Sequence, residues 1–338
     1  MNPVTVRVPA KVNLQLAVGP LRADGYHDLV TVFHAVSLFD EVTVRPADRT
    51  SIRVTGEDAD VVPAGRTNLA ARAAAALAKA AGPRRVPKSA VAIEIRKRIP
   101  VAAGLAGGSA DAAAALVACN ELWQAGLSGP ELGQVAAGVG SDVAFALLGG
   151  TAVGVGRGEQ LTAALAAGTY HWVLAFAAGG LPTPEVYATC DRLRAARAGR
   201  PAEPPRSLRP MPPRQPSRPD QSSRPPRLPG PPQLSTELMV ALRSASPAAV
   251  GPLLANDLQP AAISLRPGLR RTLSAGRELG AIGAMVSGSG PTCAFLAADA
   301  GQARELAVSL TGAGVCRAVV RVHGPVPGAA VVASTEHA

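Results

Sequence analysis

Aromatic residues are scarce in this sequence, since Phe, Trp and Tyr make up 3% of its 338 residues. The cores must therefore be built mainly from Ala, Val and Leu, which favours layers of helix and sheet. The few cysteines lie far apart, without a C-x-x-C pair or clustered histidines, and this argues against a disulfide framework and a zinc site. They are Cys119, Cys190, Cys293 and Cys316, of which the first and third lie in apolar runs and are expected to be buried.

Long uninterrupted apolar runs are also missing. The most apolar windows, residues 101–119 and 139–155, are broken by glycines and by an aspartate, so neither is a candidate membrane span. Residues 1–11 lack the apolar segment of a signal peptide, and a cytoplasmic location is the default expectation. With 47% hydrophobic and 17% charged residues, the chain reads as globular and is long enough for two domains.

The net charge of +10 and the pI of about 10.3 are typical of nucleic-acid-binding proteins. Residues 199–233, however, hold seven arginines against two acidic residues and so carry half of that net charge. The same segment has thirteen prolines and no apolar period, which predicts a disordered or polyproline-like insertion. Its arginines are not interleaved with aromatic residues, and a non-catalytic nucleic-acid binder is therefore the remote alternative.

A glycine-rich stretch, PVAAGLAGGSADAAAALVA at 100–118, places Gly104, Gly107 and Gly108 ahead of an alanine-rich run that predicts a helix opening near Ser109. Glycines let the backbone come close to a ligand, and the first turn of a helix offers unpaired N–H groups, so the stretch is typical of a phosphate cradle. It matches neither the Walker A pattern nor G-x-G-x-x-G. The structural alternative is a tight strand-to-helix turn.

The N-terminal stretch 4–18 alternates like a strand that is interrupted at Pro9. Lys11 and Asn13 lie two residues apart and are expected on one face, although a lone strand lysine is more often a solvated edge residue. The turn at 22–29 brings Tyr26 and His27 together in a sequence with three tyrosines and five histidines. Residues 29–46 then read as two strands joined at Phe39-Asp40, and 51–55 as a third.

Further along, Thr67 is the expected N-cap of an alanine-rich helix that stops at Gly82, and 90–100 alternates as the strand that leads to the glycine loop. The helix after that loop is expected to bury one stripe that includes Trp123. Asp142 is the only acidic residue within residues 139–155 and therefore needs a partner or a function. Alternatively, it caps a helix that starts at Val143.

Three separated blocks resemble the GHMP kinase superfamily, which includes galactokinase, homoserine kinase, mevalonate kinase and phosphomevalonate kinase. They are PAKVNL at 9–14, the glycine loop at 104–109 and VSGSGPT at 286–292. The resemblance implies a two-layer α+β protein, with a ribosomal protein S5 domain 2-like domain followed by a ferredoxin-like domain and the active site between them. We expect these domains at 1–165 and 166–332, with the insertion 199–233 in the second and a tail at 333–338.

Within the superfamily, the blocks RADGYHD, GSDV, LPTPEVY at 181–187 and NDLQ at 256–259 resemble the branch that acts on a cytidine diphosphate derivative. This implies transfer of the γ-phosphoryl group of ATP, with Mg²⁺, to a hydroxyl of a small molecule that carries a cytidine diphosphate group. A homoserine or mevalonate type of kinase is the nearer alternative. The resemblance implies no membrane and no specific nucleic acid as partner, and a monomer or homodimer.

The resemblance also assigns residues by position. Lys11 and Asp142 are the implied catalytic pair, and Asn13, Tyr26, His27 and Thr183 the implied acceptor site. Asn68 and Lys97 match positions on the adenine side, while Ser109 and Asp111 are candidates to meet the metal. The implied phosphate loop comprises Pro100, Val101, Ala102, Ala103, Gly104, Leu105, Ala106, Gly107, Gly108, Ser109 and Ala110. The implied third motif comprises Ser287, Gly288, Ser289 and Gly290.

Overall fold

The computed structural model describes residues 2–86, 89–197 and 230–332. Within these residues the strands are β1 (Val4–Leu21), β2 (His27–Pro46), β3 (Ser51–Gly56), β4 (Val91–Lys97), β5 (Thr151–Gly156), β6 (Gln160–Ala163), β7 (Tyr170–Phe176), β8 (Ala255–Asn256), β9 (Gly283–Val286), β10 (Cys293–Ala297), β11 (Ala318–Gly324) and β12 (Ala330–Val331). The helices are α1 (Leu69–Ala81), α2 (Gly107–Leu122), α3 (Gly129–Val139), α4 (Ser141–Leu148), α5 (Thr183–Arg197), α6 (Thr236–Arg243), α7 (Pro247–Val250), α8 (Gln259–Leu265), α9 (Gly268–Glu278) and α10 (Ala300–Gly312). Among them, no helix combines the length and the apolar character that a membrane crossing needs.

The first half of the chain forms a sheet in the order β12-β1-β2-β4-β3, extended by β5 and β6 beside β2 and by β8 beside β1. The prediction of two strands between residues 29 and 46 is wrong, because β2 runs through Phe39-Asp40 without a break. It pairs with β5 over residues 29–34 and with β4 over residues 41–46, so one long strand serves two neighbours. The predicted interruption of β1 at Pro9 is confirmed as a shift in its register with β2 between Pro9 and Ala10.

Helix α2 is the central helix of this half. The expected single buried stripe is wrong, because every residue from Ala110 to Leu116 is buried and these seven residues cover all faces of the helix. The helix contacts α1, α3 and α4 as well as β1 and β2. Small alanine side chains let these elements approach closely, so the helix that follows the glycine loop is fixed on every side.

The second half forms a four-stranded sheet in the order β11-β7-β10-β9, with all pairs antiparallel. Its core packs Phe295 of β10 against the helices α9 and α10, and Cys293 is buried there as predicted, as Cys119 is in α2. Between α6 and β8 the chain forms only the four-residue α7, followed by a 3₁₀ turn at Gly251–Leu253, where Pro252 lacks the N–H that a longer helix would use.

The two sheets follow one another along the chain, since β6 ends at Ala163 and β7 begins at Tyr170. Two short strands of the second half, β8 and β12, nevertheless complete the first sheet. The predicted boundary between residues 165 and 166 stays a prediction. The predicted insertion 199–233 lies outside the described residues except for its last four, and of these Gln233 accepts a hydrogen bond from Gln15 of β1 at 2.7 Å.

Candidate active site

The glycine loop is held from behind by the second half of the chain. Three consecutive carbonyl oxygens accept hydrogen bonds from it: Ala102 from the Leu181 amide at 3.2 Å, Ala103 from the Thr292 amide at 3.3 Å, and Gly104 from the Ser287 hydroxyl at 3.2 Å. Because these three carbonyls are hydrogen-bonded to the second half of the chain, the opposite side of the loop is the side that can contact a ligand. The N–H groups of the first turn of α2, which lack partners within the helix, lie on that side.

A cavity of ≈ 320 Å³ lies in front of this loop. Its wall includes Ala102, Ala103, Gly104, Ala106, Gly107, Gly108 and Ser109. The other predicted loop residues are not brought to this cavity. Leu105 and Ala110 are buried in the core, while Pro100 and Val101 line a separate cavity, and Val101 donates its amide to Asp58 at 2.9 Å.

The third motif packs directly on the loop. A Cβ at Gly104, where φ is 78°, would collide with the carbonyl oxygen of Ser287. A Cβ at Gly288 would lie 3.0 Å from the Gly104 carbonyl and 3.1 Å from Nζ of Lys11. Both positions therefore need glycine, because any side chain would push the loop, the motif and Lys11 apart. Ser289 lines the cavity, and its hydroxyl lies 3.0 Å from that of Thr183.

Lys11 and Asp142 face each other across the cavity, with Nζ and Oδ2 separated by 3.9 Å. Lys11 is 6% exposed and donates to Oδ1 of Asn13 at 2.6 Å, and Asn13 in turn donates to Thr31 at 2.8 Å. The alternative of a solvated edge lysine is therefore wrong. Burial lowers the pKa of Lys11, and the nearby Asp142 carboxylate only partly opposes this.

Asp142 lies in the first turn of α4, whose N-cap is the extended Gly140. The alternative that Asp142 caps a helix from Val143 is wrong, since the helix already begins at Ser141 and no side chain caps it. The Asp142 side chain is 35% exposed and borders the cavity. A carboxylate in this position is accessible to a ligand and lies beside the buried ammonium group of Lys11.

A larger cavity of ≈ 1040 Å³ continues from the first, and the two share Leu29, Arg157, Thr183 and Tyr187 in their walls. Tyr26 is 52% exposed, and the Arg157 guanidinium lies 3.7 Å from the centre of its ring. His27 is 8% exposed and its Nε2 lies 3.0 Å from Oδ1 of Asp191. The predicted acceptor residues are thus brought together along one continuous cleft that leads from the glycine loop.

Sequence reasoning missed three residues of this cleft, namely Arg157, Tyr187 and Asp191. The Tyr187 ring lies 5.1 Å from that of His27, and burial raises the pKa of its hydroxyl. Thr183, Tyr187 and Asp191 follow one another at a spacing of four residues on α5, so they share one face of the helix. That spacing was the available signal once Thr183 had been singled out.

Three predicted site residues lie elsewhere. Asn68, not the expected Thr67, is the N-cap of α1; its Oδ1 accepts from the Ala70 amide at 2.8 Å and its Nδ2 donates to Pro63 at 2.8 Å. Lys97 and Asp111 form a buried ion pair at 2.7 Å. All three are engaged with protein partners and none borders either cavity, so their geometry does not support contacts with adenine or metal.

Two family models match the chain. One, described as "GHMP kinases N terminal domain", covers residues 68–150, and the other, described as "GHMP kinases C terminal", covers residues 238–316. A homoserine kinase from Cytophaga hutchinsonii ATCC 33406 shares the fold, with a TM-score of 0.66 at 17% identity over 98% of both chains. The fold and the site thus define a small-molecule kinase of the GHMP class, as the three sequence blocks predicted.

A 4-diphosphocytidyl-2-C-methyl-D-erythritol kinase from Mycolicibacterium gilvum (strain PYR-GCK) is 54% identical over 331 residues, which cover 97% of this chain and 92% of that relative. The protein of the same name from Thermobifida fusca (strain YX) is 52% identical, with 97% and 98% covered. The chain belongs to the family of 4-diphosphocytidyl-2-C-methyl-D-erythritol kinases. A solved structure of a 4-(cytidine 5'-diphospho)-2C-methyl-D-erythritol kinase matches it with a TM-score of 0.69 at 32% identity, over 94% of this chain and 98% of that one. The predicted family, the α+β class and the ATP-dependent kinase class are confirmed.

Proposed function

We propose that the chain transfers the γ-phosphoryl group of ATP, with Mg²⁺, to the 2-hydroxyl of 4-diphosphocytidyl-2-C-methyl-D-erythritol. The products are the 2-phosphate and ADP. The observation that carries this proposal is the position of Lys11 and Asp142, 3.9 Å apart, across the cavity from the glycine loop and at the start of the larger cavity. A phosphate donor and a hydroxyl acceptor that enter from these two sides meet at the pair.

The phosphates of ATP bind along the glycine loop and the N-terminus of α2. The amides of Gly107, Gly108 and Ser109 lie in the first turn of α2. This is the positive end of the helix dipole, and it stabilises a bound anion. Phosphoryl transfer depends mainly on positioning and on electrostatic stabilisation of the moving group. Amides fixed by the buried α2 supply both without having to reorganise during the reaction.

Mg²⁺ bound to a nucleotide takes most of its ligands from phosphate oxygens and water, and needs only one or two from protein. The Ser109 hydroxyl, in the wall of the cavity, fits this requirement. Asp111 does not fit it, since its carboxylate is buried against Lys97. Held at Ser109, Mg²⁺ would supply positive charge that neutralises the charge developing during the transfer.

Asp142 aligns the acceptor hydroxyl and accepts its proton as the oxygen attacks phosphorus. Lys11 has two effects at this point. Its ammonium group attracts the Asp142 carboxylate, whose Oδ2 lies 3.9 Å away, and it stabilises the negative charge that develops on the attacking oxygen. Asn13 fixes the position of that ammonium group through the 2.6 Å bond to Nζ. Thr183, in the wall of both cavities, borders the methylerythritol part of the acceptor.

The cytidine end of the acceptor binds in the larger cavity. The exposed ring of Tyr26 offers a stacking surface for the base, and Tyr187 lines the same cavity beside His27. Nε2 of His27 lies 3.0 Å from Oδ1 of Asp191. The tautomer that donates Nε2–H to this carboxylate leaves Nδ1 as an acceptor for the base. Cytosine carries an amino donor at N4 where uracil has an oxygen, and an acceptor on the protein therefore distinguishes the two bases.

The test is a phosphorylation assay with Mg-ATP and three acceptors, namely 4-diphosphocytidyl-2-C-methyl-D-erythritol, homoserine and mevalonate. We expect turnover of the first alone, and its loss in Asp142→Asn. Turnover of homoserine or mevalonate at a comparable kcat/KM, or activity of Asp142→Asn close to that of the wild type, would contradict the proposal.

A further inference from the structure

A buried cluster of charged residues lies beneath the glycine loop and is not used by the chemistry described above. It consists of Asp40, Lys97 and Asp111, whose side chains are at most 4% exposed. The Lys97 ammonium group donates to the carboxylates of Asp40 and of Asp111, the latter at 2.7 Å. A buried charge network is costly to desolvate and is weak evidence for stability, so its presence here calls for a role.

The cluster joins the two ends of the loop. Oδ1 of Asp40 accepts from the backbone amides of Arg98 at 2.6 Å and Ile99 at 2.9 Å, directly before the loop. Asp111 lies in α2, directly after the loop. The ammonium group of Lys97 bonds both carboxylates, and a Cβ at Gly107 would lie only 3.1 Å from its Nζ. One side chain thus fixes how far the end of β4 stands from the start of α2.

The charge of the cluster also bears on the loop. Asp111 is the fifth residue of α2, so its carboxylate lies about one turn behind the amides that face the phosphates. An uncompensated negative charge there would oppose the positive end of the helix. The Lys97 ammonium group lies beside this carboxylate and reduces its effect. Burial disfavours the ammonium form, but the two carboxylates outweigh this and raise the pKa of Lys97.

We propose that Asp40, Lys97 and Asp111 are positioning residues for the nucleotide phosphates: they set the geometry of the glycine loop without touching the ligand. The proposal rests on the proposed function only in taking that loop as the phosphate-binding element. It is independent of which acceptor is phosphorylated. A purely stabilising cluster would, by contrast, change the melting temperature and leave nucleotide affinity unchanged in the folded protein.

The test measures binding of Mg-ATP by calorimetry, without acceptor, together with the melting temperature. Asp111→Ala removes the anchor on α2, and we expect Mg-ATP affinity to fall by about tenfold or more, because small displacements in a site are costly. Asp111→Asn keeps an oxygen that accepts from Lys97 and should stay within about threefold of the wild type. Cys119→Ala is the matched control, because it removes buried atoms from the same helix away from the loop.

Three results decide the proposal. Weakened Mg-ATP binding in Asp111→Ala, with near-normal binding in Asp111→Asn and Cys119→Ala, supports it. Equal affinities in Asp111→Ala and Cys119→Ala overturn it, whatever the losses in melting temperature. If Asp111→Ala does not fold, the Asp40→Asn variant is used instead. Its Oδ1 still accepts hydrogen bonds from the amides of Arg98 and Ile99, but its side-chain amide nitrogen faces Lys97. Near-normal Mg-ATP affinity in that variant overturns the proposal, and an affinity lowered by about tenfold supports it. A wild type that fails to bind Mg-ATP would instead contradict the proposed function.

Discussion

If His27 selects the cytosine base as proposed, the magnitude of that selection can be worked out from the site. His27→Ala removes the acceptor that we assign to the N4 amino group of cytosine. In the wild type a uracil oxygen would face the same nitrogen, and two acceptors left without a proton between them cost about 1–3 kcal/mol. The ratio of kcat/KM for the cytidine acceptor over its uridine analogue should therefore be roughly tenfold to a hundredfold.

His27→Ala should bring that ratio close to one, mainly by slowing the cytidine acceptor. Asp191→Ala should narrow it in part, because Nε2 loses the carboxylate 3.0 Å away that fixes the tautomer. Tyr26→Ala is the control. Stacking is tolerant of base identity, so this variant should lower kcat/KM for both acceptors by about tenfold to a hundredfold and leave their ratio unchanged.

The assay follows ADP release with each acceptor, and the melting temperature of each variant shows whether it is folded. An unchanged ratio in folded His27→Ala would remove His27 from the base site. The 8% exposure of His27 and its contact with Tyr187 would then mean that it only joins the Asp-Gly turn to α5. In that case Asp191→Ala should lower the melting temperature without any change in the ratio.

Three further predictions concern the rest of the site and the fold. Lys11→Ala and Asp142→Asn should each lower kcat by about a hundredfold or more in a folded protein. The double variant should lose little more activity than either single variant, because the two residues act as a unit. Near-normal turnover in either single variant would refute the assignment. Gly104→Ala should raise the KM for ATP by about tenfold or more with a smaller effect on the acceptor KM, since its Cβ would displace the loop from Ser287; unchanged kinetics would show that the loop tolerates the shift. Burial lowers the pKa of His34 from 6.5 to about 3, so the folded protein does not take up the proton that the unfolded chain binds below pH 6.5, and stability falls as the pH drops. Between pH 7 and pH 5 this should cost about 2 kcal/mol in urea unfolding of the wild type, a loss that His34→Asn should not show.

Local patterns in the sequence were sufficient where the chemistry is local. The glycine loop and the pair of Lys11 and Asn13 on one strand depend on spacing within a few residues. The long β2 was misread because a strand that changes partners midway looks, in sequence, like two strands with a turn between them. The N-cap of α1 was displaced by one residue, since Thr67 and Asn68 are both good capping residues.

Contacts between distant residues could not be read from pattern. The resemblance places Lys97 on the adenine side, but its partner Asp40 is 57 residues away in sequence. The alternation of apolar and polar residues in the two strands does not predict this ion pair. His27 and Asp191 are 164 residues apart and meet only because α5 packs across the Asp-Gly turn. A residue's type and its neighbours in sequence indicate the chemistry that it can perform. Which residue it bonds to, and therefore whether it is free to bind a ligand, depends on the packing of whole helices and strands.

The same limit explains why the glycine loop needs both halves of the chain. Its amides come from the first half, yet three of its carbonyls are engaged by Leu181, Thr292 and Ser287 of the second. The segment that supplies the Leu181 amide also carries Thr183 into the acceptor cavity, where it meets Ser289 of the third motif at 3.0 Å. Movement of the second half would therefore displace the phosphate cradle and the acceptor wall together. In the proposed reaction the transferred group must be in line with donor and acceptor, and this shared anchoring would keep the two proposed sites aligned.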